Sequence, residues 1–190
     1  PLELPHRYAA PADREVVAFL AASLAFGRVG SIRGSAERLL AALGPSPAAA
    51  LASDAADGPR LDDFVHRWVD VRSLRPFLRA LGATLRSEGS LAALFAAGDD
   101  GGPDFVPALD RFFAALRERS GVFPRAAPRG LLFLLPSPGN GSACKRAHLF
   151  LRWVVRTEDL DLGLWRGARF SPARLLLPMD THVHRISRYL

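Results

Sequence analysis

Lysine is nearly missing from this 190-residue chain: among 25 basic residues Lys145 is the one lysine, and every other is arginine. A guanidinium is never deprotonated in a protein, whereas an ammonium can lose its proton and become a nucleophile. The bias leaves Lys145 as the one side-chain amine for covalent chemistry, although a solvated surface charge fits the composition equally well. Cysteine is as scarce, and the single Cys144 excludes an internal disulfide. With no basic-then-apolar leader in PLELPHRY, a reducing cytoplasm is the expected location. Long apolar runs are missing too, since none approaches the ~20 residues of a membrane helix. No membrane partner is expected. Alternating strand patterns of useful length, internal repeats and coiled-coil heptads are all lacking.

What is present reads as helix. The 49% hydrophobic and 23% charged residues suit a globular chain that buries one core or two small lobes. Asp13 is placed to cap a helix with Val16, Val17, Leu20 and Leu24 on one face, running to Gly27. A second helix follows Gly30-Ser31 and ends at Gly44-Pro45, and a short helix with a loop fills 46–60. LDDFVHRWVD sets Leu61, Phe64, Val65 and Trp68 at i, i+3, i+4 and i+7, which predicts a helix continuing into SLRPFLRALGATLRSEG. Ser90 caps a short helix, GDDGGPD is a loop, and 105–119 is amphipathic again. After the apolar turn LLFLL and PSPGNG, a helix spans Ser142 to Arg156, with Ala147, Phe150, Leu151 and Val154 as its buried stripe. Ser171-Pro172 and Asp180 mark two further helix starts. The fold class is all-α, in one unit over 1–190 with changes of lobe near 30 and 125. Pro1 in place of a methionine, and an amphipathic run (Val183, Ile186, Leu190) without a cap, read as a fragment lacking a C-terminal part.

Net charge is +6 with a pI near 10.8, which makes nucleic acid a plausible partner, because arginine holds phosphates in bidentate fashion. An arginine-biased composition also yields basic proteins with no such role. Lys145, Arg152 and Arg156 share one face of their predicted helix and, with Arg146, Arg185 and Arg188, make a basic ridge. Gly139 and Gly141 in PSPGNG allow a tight turn whose N–H groups could meet a phosphate at a helix start, although such a turn also serves as a plain connector. Lys145 and Asp180 could meet in a cleft, the carboxylate deprotonating the ammonium or stabilising a sugar cation. Spacing alone equally gives a cap and a surface charge. His182 and His184 point apart on a helix, and Cys144 with His148 lacks further ligands, so neither a metal nor a cofactor is expected. Cys144 is read as packed beside the apolar stripe, and Trp68, Trp153 and Phe112 as core.

LPMDTHVHRISRYL resembles the V-D-T-H-V-x-R-x-x-x-R-L stretch of the helix-hairpin-helix DNA glycosylase superfamily, which contains endonuclease III and the 8-oxoguanine glycosylases. PHRYAAPADREVVAFLAASLAFGR, FVHRWVDVRSLRPFLRAL and GSACKRAHLFLRWVVR through LLLPMDTHVHR resemble, in the same order, the blocks of a bacterial family within it that has no settled activity. The resemblance implies a two-lobed all-α fold with a modified hairpin, whose cleft receives a base flipped out of damaged double-stranded DNA. Asp180 would stabilise the sugar cation, Lys145 would attack the sugar and add a lyase step, and Arg28 would fill the gap left by the base. The chain departs from the usual hairpin L-P-G-x-G-x-K-T-A. With PGNG on P-G-x-G, the usual lysine falls on Ala143, and the two residues to Lys145 turn a helix by about 200°. Either the hairpin is remodelled and Lys145 reaches the cleft, or the lyase step is absent. The gap from Lys145 to Asp180 is also longer than in endonuclease III and closer to the divergent archaeal 8-oxoguanine glycosylases. The implied function is base excision, with a non-catalytic DNA- or RNA-binding protein as the alternative.

Overall fold

A computed structural model describes residues 1–53, 59–122, 126–158, 160–177, 185–186 and 188. Among them are eight α-helices: α1 (Pro11–Ser23), α2 (Val29–Leu43), α3 (Pro47–Ala52), α4 (Val71–Glu88), α5 (Leu91–Ala97), α6 (Val106–Arg119), α7 (Arg129–Leu134) and α8 (Lys145–Val155). One small antiparallel hairpin, β1 (Val65–His66) and β2 (Val69–Asp70), precedes α4. The chain is mostly helical, and one cluster of buried side chains extends from Leu4 to Trp165.

α1 is the axis of the fold. Every residue from Val16 to Ala22 is buried, so this helix is enclosed on all sides, beyond the single face that its spacing predicts. It packs on α8, α3 and α2, while α4 packs on α3, α5, α6 and α7. Phe19 stands where these layers meet, with ring centroids 5.0 Å from Phe150, 5.7 Å from Phe112 and 5.8 Å from Phe77. The approach of α4 to α3 needs glycine at position 82, where a Cβ would collide with the Leu51 carbonyl oxygen.

Two carboxylates of α1 cap other helices. Asp13 does not cap α1, whose N-cap is Ala10 with Pro11 at the first turn. Turned inward, it accepts from Ala48 N–H (2.8 Å) and Ser46 Oγ–H (3.1 Å), closing the start of α3. Glu15, also buried, accepts from Leu91 N–H and Ala92 N–H (2.9 Å each) at the start of α5, and from Trp165 Nε1–H (2.6 Å). Burial pushes the Glu15 carboxyl above its usual range, against the pull of these three donors. Ser90 adds the expected cap to α5 through Ala93 N–H.

The structure corrects three further readings of the sequence. Residues 65–70 form the hairpin, not a helix: a two-residue turn, Arg67-Trp68, links strands paired Val65 with Asp70 and His66 with Val69. The turn places Arg67 at φ +54°, and Asp70 then caps α4 through Ser73 N–H. Trp68, expected in the core, stands 47% exposed, whereas Trp153 and Phe112 are buried. Ser171-Pro172 opens only the 3₁₀ turn Pro172–Arg174, where Arg174 leaves the helical path to grip the carboxylate of Asp99 at 2.6 and 2.7 Å. The start of the helix expected from Asp180 and the lobe change near 125 fall on residues outside those described, while Arg185 and Ile186 of that expected helix are helical. Among the described residues no helix is long and apolar enough to cross a membrane.

Glu15→Ala leaves two buried N–H groups and an indole N–H unpaired, and should lower the unfolding free energy by about 3 kcal/mol or more. Urea unfolding checks this. A loss below about 1 kcal/mol would show that the helix start and the indole find other acceptors.

Candidate functional site

The hairpin between α7 and α8 is built by α6. Asp110 and Arg117, seven residues apart, lie on one side of α6. Asp110 Oδ1 accepts from Ser137 Oγ–H (2.9 Å) and Gly139 N–H (3.1 Å), and Arg117 Nη1 donates to the carbonyls of Leu135 (3.2 Å) and Pro136 (2.8 Å). Between these clamps the chain makes the 3₁₀ turn Pro138–Asn140 and closes with Gly141 at φ +80°. A Cβ at Gly139 would come within 2.9 Å of Asp110 Oδ2, so a larger residue there would push the carboxylate from its place on the turn. The N–H groups of this turn are engaged: Gly139 on Asp110, Asn140 and Ser142 on Ser137 O, and Gly141 on Pro138 O. In this conformation a phosphate would have to displace the Asp110 carboxylate to reach Gly139 N–H.

α8 begins three residues later than its sequence predicts. Ser142, Ala143 and Cys144 are a non-helical lead-in, with Cys144 at φ +43° in the left-handed region. The two residues that separate Lys145 from the usual lysine position therefore lie before the helix, and the rotation of about 200° does not apply. Lys145 is the first residue of α8, exposed, and among the described residues its amine has no hydrogen-bond or ion-pair partner.

Lys145 lines a half-open cavity of about 830 Å³ bordered by the end of α1, the following loop, α6, α7, the hairpin and the start of α8. Phe19, Phe26, Phe113 and Phe133 supply aromatic walls, and Arg117, Asn140, Ser142 and Lys145 the polar ones. This size, with apolar walls and a few convergent polar groups, suits a small planar ligand. Outside it, Trp68 extends the aromatic surface, with its ring 5.1 Å from both Phe26 and Phe133 and the Arg67 guanidinium 5.0 Å above it. Two shallower depressions, around Arg38 and Phe64 and around Arg7 and Tyr8, have fewer apolar walls.

The basic ridge is less uniform than its spacing implies. Arg146 points inward: its guanidinium lies 3.8 Å from the Phe133 ring centroid and 5.2 Å from that of Phe26, and donates to the carbonyls of Ser23 and Phe133 (2.5 Å each). Burial with no carboxylate beside it pulls its pKa down to about 10. Arg152 and Arg156 approach Asp161 at 3.8 and 3.4 Å, and Arg156 also pairs with Glu158. Arg28 is exposed at the start of α2, in the loop whose Ala25 and Phe26 line the cavity. Arg185 and Arg188 are exposed, and Asp180, His182 and His184 lie outside the described residues. Cys144 is buried beside the stripe, and burial pushes its thiol up. Among the described residues no group of three or more His, Cys, Asp or Glu could hold a metal ion.

The sequence reading missed Asp110, Arg117 and the Phe26–Phe133 wall. Only the Asp-x₆-Arg spacing on α6 hinted at a shared task, because both residues act on a segment 18 to 29 positions away.

The sequence matches over residues 1–190 the family described as Protein of unknown function (DUF2400), and the chain belongs to that family. No curated protein and no solved structure matches it.

Two buried histidines flank this region and give it a pH signature. His66 is held between Ser35 Oγ (2.9 Å) and Phe26 O (3.1 Å), and His148 on α8 has a buried Nδ1 with no partner among the described residues. Burial lowers both pKa values from the usual 6.5. The unfolded chain then takes up protons as the pH falls through 6.5 while the folded one does not, so the stability present above that pH is lost below it. The melting temperature should drop from about pH 7.5 to about pH 5.5, and drop less in His148→Leu. An equal drop in the two proteins would show that His148 is not held neutral.

Proposed function

We propose that this member of the DUF2400 family is a DNA N-glycosylase of base excision, with Lys145 as a nucleophile that adds a lyase step. The carrying observation is the placement of the one lysine at the first residue of α8, directly after a glycine hairpin, on the wall of an aromatic-lined cavity. The resemblance of LPMDTHVHRISRYL to the glycosylase stretch supports the same reading and supplies Asp180 as the carboxylate that stabilises the sugar cation.

The chemistry follows from those groups. A base flipped out of the duplex stacks on the phenylalanine walls and presents its sugar to Lys145. The amine, its proton taken by the Asp180 carboxylate, attacks C1′; the bond from C1′ to the base nitrogen breaks, and its electron pair leaves with the base, which takes up that proton. The C1′ adduct passes one nitrogen-bound proton to O4′ as the C1′–O4′ bond breaks, which opens the sugar ring and leaves a protonated imine. Abstraction of a C2′ proton then expels the 3′ phosphate and nicks the strand. A purely DNA- or RNA-binding role would rest on the basic ridge, but Asp161 and Glu158 engage Arg152 and Arg156, and Arg146 is half-buried and turned to backbone carbonyls. The free amine at the cavity favours the enzyme.

Borohydride added to the protein with duplexes carrying 8-oxoguanine, uracil, an oxidised pyrimidine or an abasic site should trap a covalent complex on at least one of them. Lys145→Ala should abolish the complex while duplex binding persists. Absence of any complex and of any base release, with DNA still bound, would replace the enzyme by a binding protein.

A further inference from the structure

The cavity is electrically one-sided. Its described lining holds three cations, Arg117, Lys145 and Arg146, and no carboxylate. Asp180, which the resemblance would bring to the same cavity, leaves a positive excess. Arg146 is turned to the carbonyls of Ser23 and Phe133, whereas Arg117 is only half engaged. Its Nη1 holds Leu135 O and Pro136 O, while among the described residues Nε and Nη2 have no acceptor. Asn140 and the Ser142 hydroxyl stand on the same hairpin wall with donors to offer. A half-buried guanidinium anchored through one nitrogen is a fixed fork, and such a fork matches the oxygens of a phosphate in paired, charge-assisted hydrogen bonds. The phenylalanine walls offer no hydrogen-bonding group and suit a flat ring.

We propose that the cavity is a site for a nucleoside 5′-phosphate unit, with Arg117 holding the phosphate and the base lying on the wall made by Phe26, Phe133 and the Arg146 guanidinium against them. This rests on the reading above only for the source of the unit, a strand nucleotide rather than a free one; the chemistry recognised is the same. Arg117 is a positioning residue: it anchors the nucleotide by its phosphate and leaves the amine of Lys145 for the sugar. It also ties the substrate to the hairpin backbone, since the same side chain carries both contacts.

Isothermal titration of the whole chain with deoxyguanosine 5′-monophosphate and with deoxyguanosine tests this. The monophosphate should bind at least about ten-fold more tightly, and Arg117→Met should reduce it to the level of the nucleoside. Arg117→Lys should recover part of the difference. Because Arg117 also braces the hairpin, each variant is melted alongside, and the nucleoside affinity serves as an internal control that a collapsed cavity would also lose. Equal affinities for nucleotide and nucleoside in the wild type, an undiminished preference in Arg117→Met, or loss of nucleoside binding in both Arg117 variants would overturn the proposal. Competition then identifies the source. An abasic duplex that displaces the monophosphate assigns the site to a nucleotide within a strand, and one that does not assigns it to a free nucleotide. Failure of borohydride trapping leaves this difference in affinity untouched, so the two readings fail separately.

Discussion

The Arg146 guanidinium, held against two phenylalanine rings that meet edge to face, is the interaction on which the site depends. One side chain joins three parts of the chain: the last carbonyl of α1, the Phe133 carbonyl in α7, and its own position in the first turn of α8. Even half-buried, a cation without a carboxylate is costly. Here the cost is offset by two carbonyl dipoles, one at the negative end of α1, and by the faces of Phe26 and Phe133. The residue before it is Lys145, so the contact that orients α8 also sets the amine on the cavity wall. The same lack of a carboxylate leaves the cavity positive.

The rest of the fold holds the three parts at the distances this contact needs. α1 reaches the site from the centre of the core, with Phe19 in its aromatic cluster and also on the cavity wall. At its other end Asp13 and Glu15 fasten the starts of α3 and α5, so the helix is fixed at both ends by polar groups and along its length by apolar ones. α6 does the same for the hairpin through Asp110 and Arg117. Where these helices converge the backbone is used up in tertiary hydrogen bonds, and the side-chain amine of Lys145 is left without a described partner.

Elements whose determinants are local were legible. The periodicity of α2, α4, α5, α6 and α8, the Ser90 cap, the glycine after α2 and the buried stripe of α8 all follow from neighbours within a few turns. Residues 61–68 misled because Leu61, Phe64, Val65 and Trp68 satisfy the helical template, while the two-residue turn lacks the glycine or asparagine that advertises a hairpin. Asp13 misled because a carboxylate in a first turn caps whichever helix start it faces, and α3 is 33 residues away. Lys145 was legible by its rarity alone. The role of Arg146 was not, since its partner carbonyl on Ser23 lies 123 residues earlier, and a basic residue at helical spacing looks the same whether it faces water or a pair of rings.

Lys145, although exposed, lines a cavity whose cations and aromatic walls suit an aromatic anion. The most direct test compares how fast pyridoxal 5′-phosphate and pyridoxal label the native protein under borohydride, with peptide mapping of the product. The account predicts that Lys145 is modified, that the phosphate-bearing aldehyde is the faster, and that Arg117→Met removes its advantage. Equal rates for the two aldehydes in the native protein, or labelling confined to the terminal amine, would contradict it.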